Sequence, residues 1–217
     1  LYRELLVKID TIINSASLVK HFGVYDLFYQ SNVLSVENII KFAKESGCSI
    51  NHISTTSVSG NYLVKNDIDY IYTENDFYIG QNYLDNVYVR TKFEAEAKLF
   101  KAQQENIIIN IFRMGNIMPR FSDGKFQANK FENAYYKRIL GFIELGILPE
   151  NLKEQELEFT PVDTCAQAIV QLMKYENKVF HLLNTNTIKI DQLIKVLNSY
   201  GRTIQFVSES IFNETIR

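Results

Sequence analysis

The chain has 217 residues, 46% hydrophobic and 22% charged, with a formal net charge of −2. That is globular composition with enough chain for one or two cored domains, and it excludes disorder, collagen and coiled coil. The slight acidity argues against a protein built to grip nucleic acid or a membrane surface, and no apolar run reaches membrane-spanning length.

The first ten residues, LYRELLVKID, lack a basic flank and a long apolar stretch, so no signal peptide is expected. The two cysteines, Cys48 and Cys165, form no C-x-x-C pair and have no histidine at ligand spacing. The expectation is two reduced, half-buried thiols in a cytoplasmic protein, with no disulfide framework and no metal site.

Along the chain two hydrophobic periods alternate. Lys8 to Asn14 (KIDTIIN) is a short β-branched run, a buried strand, and it ends in the small residues Ser15, Ala16 and Ser17. Asp26 to Lys44 has helical spacing, with Leu27, Val33, Leu34, Val36, Ile39, Ile40 and Ala43 mostly on one side. Gly47 supplies the stop. Ser49 to Thr55 is the next strand. Residues 61–86 are acidic, polar and rich in Tyr, without a clean period, and so long an irregular stretch is usually functional. Tyr88 to Gln104 is a helix of good formers. Ile107 to Arg113 (IIINIFR) is a strand of the fully buried, parallel type. Then come a helix over 127–145, a short strand at 157–159, and a helix from an Asp163 N-cap to Tyr175. A strand at 179–183, a helix at 189–200 and a strand at 203–207 complete the chain. The alternation predicts an α/β fold with a mainly parallel, Rossmann-like sheet and helices on both faces. It divides into a region over 1–120 carrying the chemistry and a smaller one over 121–217, some of whose elements return to the first.

In an open parallel sheet, ligands bind at the carboxyl ends of strands. Three such ends exchange apolar for small or polar residues: Asn14 to Ser17, Ser54 to Ser57, and Arg113 to Asn116. Taken singly, each reads first as an ordinary turn. Tyr88 and Lys92 are more informative, because residues four apart share a helix face. A lysine beside a phenol favours the phenolate and should lower its pKa from about 10, making Tyr88 a workable proton donor near neutral pH. The Thr55 hydroxyl could share the substrate oxygen. A lone Y-x-x-x-K is weak, since about one match arises by chance in a chain this rich in tyrosine.

The order strand, S-T-x-x-V, loop, Y-x-x-x-K helix, buried strand, R-x-G-N resembles an extended short-chain dehydrogenase/reductase. More narrowly it resembles the terminal thioester reductase domain of nonribosomal peptide synthetases. The matching segments are VKIDTIINSASLVKHFG (7–23), HISTTSVSG (52–60), ENDFYIGQ (74–81), NVYVRTKFEAE (86–96), FRMGNIMPRFSDGKFQAN (112–129), FTPVDTCAQAI (159–169) and VFHLLN (179–184). They span nearly the whole chain, and HFG, GQ and SDGKFQAN are more specific than Y-x-x-x-K.

The resemblance implies a catalytic set of Thr55, Tyr88 and Lys92, with Thr55 chosen because it stands three before Val58. It implies cofactor contacts at Asn14, Ser15, Ala16, Ser17, Ser54, Lys92, Met114, Gly115, Asn116 and Ile117. Residues 122–129 and Thr160 to Asp163 fall on the substrate side. It further implies NADPH, a phosphopantetheinyl carrier protein bearing a peptidyl thioester, and upstream synthetase modules as partners. Same-fold alternatives are a sugar-nucleotide epimerase or dehydratase and a ketone reductase; a non-catalytic docking module is a different class. One departure is clear. No G-x-G-x-x-G turn is present, so the chain reads as starting at the fourth strand of such a fold, with impaired pyrophosphate binding and an exposed sheet edge expected. His52 reads as structural, Glu94 and Glu96 as solvated or helix-packing, and Arg113 equally as a strand-end anchor or a substrate contact.

Overall fold

A computed structural model describes residues 1–20, 22–60 and 70–216. His21 of the HFG motif and residues 61–69 of the acidic stretch lie outside the described residues. The chain divides into two compact units, one of residues 1–115 and 165–182, the other of residues 116–164 and 183–217.

Among the described residues, the first unit holds a four-stranded parallel sheet. Its strands are β1 (Thr11–Asn14), β2 (Ser49–Thr55), β3 (Ile109–Met114) and β8 (Val179–Leu182), in the order β1-β2-β3-β8. Every residue of β3 is buried, as its unbroken apolar run requires. Helices flank the sheet. Val36, Ile40 and Ala43 of one helix and Ala95, Leu99 and Ala102 of another meet Ile50, Ile109 and Ile111 in a single core cluster. The three-and-four spacing puts each trio on one helix face.

The first of these helices differs from the single helix expected. Tyr25–Phe28 is α-helical, Tyr29–Leu34 is a π segment, and Ser35–Ser46 is α-helical again. The wider turn rotates the apolar pattern, so Leu27 and Leu34 face solvent while Val33 and Val36 are buried. Gly47 ends it in the left-handed conformation, φ 76°, with its N–H on Ala43 O. The Val87–Gln103 helix starts at an Asn86 N-cap, whose side chain accepts the N–H groups of Tyr88 and Val89.

The second unit holds three two-stranded pairs: β4 (Ile117–Met118) with β7 (Thr160–Pro161), β5 (Ile147–Pro149) with β10 (Gln205–Val207), and β6 (Glu156–Leu157) with β9 (Ile188–Lys189). Phe142, Leu148, Leu157, Ile190, Ile194 and Ile204 form its core. The helix expected over 127–145 is a short turn at Lys130–Glu132 and a helix at Ala134–Leu145, because Asn133 caps the latter through Tyr136 N.

Asp163 is not an N-cap, because the helix Val162–Leu172 already includes it. Its carboxylate instead accepts the backbone N–H groups of Phe121 and Ser122, which pins the SDGKFQAN segment. Those hydrogen bonds hold its pKa down at about 2. A depressed carboxyl pKa stabilises the fold above the unfolded value near 3.9, and the contribution is lost as pH falls toward 2. An NMR titration should therefore show the Asp163 carboxyl titrating near pH 2, and the Phe121 and Ser122 amides should shift with it. A midpoint near 4 would mean that those bonds do not form.

Candidate active site

The carboxyl ends of the parallel strands lie on one side of the sheet and carry the residues that the sequence singled out. Asn14 to Ser17 follow β1, Ser54 and Thr55 close β2, and Met114 and Gly115 close β3. Asn116 and Ile117 belong to the second unit, where Asn116 N donates to Glu158 and Ile117 pairs with Thr160.

Three residues one turn apart on the Val87–Gln103 helix bond to the end of β2. Tyr88 shares a side-chain hydrogen bond with Thr55. Lys92, 2% exposed, donates its Nζ to Ile53 O at 2.5 Å. Glu96, fully buried, accepts from Ser54 Oγ at 2.5 Å. Thr55 and Tyr88 are thus brought together with Lys92 on the next turn. The Ser54 hydroxyl is committed to Glu96.

The electrostatics differ from the sequence expectation. Burial raises the Tyr88 pKa, and the bond from Thr55 only partly opposes this. Lys92 does not lower it: its ammonium sits on a backbone carbonyl, and its own pKa falls to about 8 through burial, against the pull of Glu96. Tyr88 is therefore a protonated donor at neutral pH, poised beside a second hydroxyl. His52 is structural, as expected. Its Nδ1 lies 3.0 Å from Asn14 Nδ2, and burial with the Lys92 charge keeps it neutral.

Two arrangements escaped sequence reading. Asn32, in the π segment, is buried. Its Oδ1 accepts Leu18 N at 2.7 Å and Ser17 Oγ at 3.0 Å, and its Nδ2 donates to Leu18 O and Thr91 Oγ1. It ties the segment after β1 to the helix of Tyr88 and Lys92. The signal was a polar residue beside Val33 on an apolar helix face. The second is the pairing of Arg113 with Glu96, which makes Arg113, of its two sequence readings, the fully buried anchor. It pairs with Glu96 (Nη2 to Oε2 2.8 Å), donates to Asp76 O at 2.9 Å and lies 3.3 Å from His181 Nε2. Of the two readings of Glu96, the structure shows the helix-packing one, made through an ion pair rather than apolar contact, while the Glu94 carboxylate accepts from the Tyr25 hydroxyl and Arg90.

The described part of the acidic loop is held in three ways. Arg113 takes Asp76 O. Phe77 and Tyr83 stack on Phe93 with centroids 4.3 and 4.0 Å apart. Gln81, buried, donates to Val58 O and Phe77 O and accepts Ile79 N. Beside it a cleft is lined by Ser57, Gly60, Asn82, Tyr83, Asp85, Asn86 and Val89. Gly60 (φ 61°, ψ −159°) occupies a region nearly closed to other residues, and a Cβ there would meet Gln81 Cβ at 3.0 Å. Gly60→Ala should cost about 1–3 kcal/mol in urea denaturation; an unchanged midpoint would count against this packing.

Residues 1–169 match an NAD-binding family described as "Male sterility protein". The chain belongs to that family. It is an oxidoreductase family, built on the extended short-chain dehydrogenase/reductase fold. The chain is 26% identical over 224 residues to a linear gramicidin synthase of Brevibacillus parabrevis, covering all of this chain and 4% of that protein. It is 33% identical to a thiolation-reductase di-domain from an archaeal nonribosomal peptide synthetase, with a TM-score of 0.91, covering 99% of this chain and 47% of that one. The reductase domain of the aureusimine biosynthetic cluster gives 25% identity and a TM-score of 0.75, covering 94% and 54%. The chain thus spans about half the length of these two structures and a small part of the gramicidin synthase. Among the described residues, no helix is long and apolar enough to cross a membrane.

Proposed function

We propose that the chain is the catalytic part of a reductase that uses NADPH to release a carrier-bound peptidyl thioester as an aldehyde. The observation that carries this is the Thr55–Tyr88 hydroxyl pair with Lys92 one turn on. The residues fit a nicotinamide cofactor: the Lys92 ammonium sits on Ile53 O of β2, and the small residues Ser15 and Ala16 follow the neighbouring β1. When bound, that cofactor supplies a hydride. The residues proposed to hold it in the first unit are Asn14 to Ser17, Met114, Gly115 and Lys92, which would take the ribose.

The chain's own groups then act on the thioester carbonyl. Thr55 and Tyr88 donate to its oxygen and stabilise the charge that develops there. Tyr88, kept protonated by burial, passes its proton to that oxygen. The thiohemiacetal so formed collapses to the aldehyde and the free pantetheine thiol. A second reduction would give the alcohol. The gramicidin synthase and the thiolation-reductase di-domain support a phosphopantetheinyl carrier protein and upstream synthetase modules as partners. Such a protein is cytoplasmic and engages neither nucleic acid nor membrane.

The test is NADPH oxidation at 340 nm by the full-length protein with an acyl-pantetheine thioester. Thioester-dependent oxidation supports the proposal. Oxidation with a ketone or a sugar nucleotide alone, or NADPH binding without turnover on any thioester, overturns it.

A further inference from the structure

The helix and strand meet in three rungs. Thr55 bonds to Tyr88, Lys92 donates to the Ile53 carbonyl, and Ser54 donates to Glu96. The first two rungs carry the groups proposed to do chemistry. The third carries none, yet it is the most heavily bonded. Glu96 accepts Ser54 Oγ at 2.5 Å, Arg113 Nε at 3.2 Å to both of its oxygens, and Arg113 Nη2 at 2.8 Å. Both side chains of the ion pair are wholly buried.

We propose that Ser54, Glu96 and Arg113 are positioning residues, which fix the depth and rotation of the helix at the tip of β2 and so set where Tyr88 and Lys92 stand. This rests on the functional reading above and deepens it.

Stability alone is a poor reason for such a rung. A buried ion pair must repay the desolvation of both charges, and apolar side chains of the same volume hold a helix equally well. What the pair adds is directionality. A hydroxyl and a forked guanidinium on one carboxylate allow a single helix depth and a single rotation.

The rung also has an electrical consequence. Lys92 is faced by the Ile53 carbonyl and neutral His52 from β2, and by Glu96 from its own helix. Among these the Glu96 carboxylate is the group that favours its charged form.

Two variants test the proposal in the full-length protein. Ser54→Ala removes one donor and leaves the ion pair intact. It should lower kcat about tenfold with NADPH affinity and thermal midpoint near wild type, a separation that a merely structural residue would not give. Ser54→Thr, which keeps the hydroxyl, should restore kcat. The double variant Glu96→Gln/Arg113→Met removes both charges and leaves neither unpaired. An NMR titration of the Lys92 side chain should give a pKa lower by about half a unit or more, a threefold change in its ratio of charged to neutral forms. Wild-type kcat in Ser54→Ala, or an unshifted Lys92 midpoint in the double variant, overturns the proposal. The titration needs no turnover. If the wild-type protein oxidises NADPH with no thioester, the functional reading falls, and the Lys92 midpoint alone decides this one.

Discussion

Tyr88→Phe is expected to lower thioester-dependent turnover by about 10²–10⁴-fold, the usual contribution of a positioned proton donor. The substitution keeps the ring and removes only the hydroxyl that Thr55 contacts. Packing and cofactor affinity should persist, so kcat and kcat/KM should fall together. Thr55→Val removes the second donor and should cost about 10²–10³-fold. The pH dependence separates the two. Because burial raises the Tyr88 pKa, the phenol stays protonated well above neutrality, and Lys92 with its pKa of about 8 should set the alkaline limb. An alkaline limb unchanged in Lys92→Arg would count against this order of titration. Retention of wild-type kcat in Tyr88→Phe would remove Tyr88 from the mechanism.

Arg113→Met should be the most destabilising single change, by about 3–5 kcal/mol, because it leaves the Glu96 carboxylate buried without its cation. The loss has a second component. Arg113 also donates to Asp76 O and lies 5.1 Å from the Tyr72 ring, so the loop over 70–81 loses its tie to the sheet. Urea denaturation should show the lower midpoint, and limited proteolysis should find new cleavage within that loop. Adding Glu96→Gln removes the uncompensated charge and should recover most of the midpoint without restoring the loop. A double variant as unstable as the single would show that the charge imbalance is not the cause.

The sheet was legible because its signals are local. IIINIFR has no period because both of its faces are covered, and SINHIST begins and ends where the sequence placed it. The Y-x-x-x-K helix was legible too, because four-residue spacing dictates a shared face whatever lies opposite. What failed was anything set by a distant partner. A glutamate on a helix normally faces water, and nothing near Glu96 announces an arginine seventeen residues on that sits wholly inside. Lys92 was expected to act on its neighbour four residues away, but the Ile53 carbonyl, 39 residues distant, claims its ammonium. Asp163 had the right type for an N-cap. Its bonds go instead to a segment some forty residues earlier, which no local rule anticipates.

The π segment at Tyr29–Leu34 has a consequence for how such genes change. A π turn holds about one more residue than an α turn, so it stores a residue that the flanking helices do not need. Losing one codon there would let the segment wind as ordinary helix while Val36, Ile40 and Ala43 kept their places in the core. The protein would fold, but Asn32 would rotate away from Leu18 and Thr91. An in-frame deletion at this point should therefore be silent to any screen for expression and visible only to one that reads the strand ends.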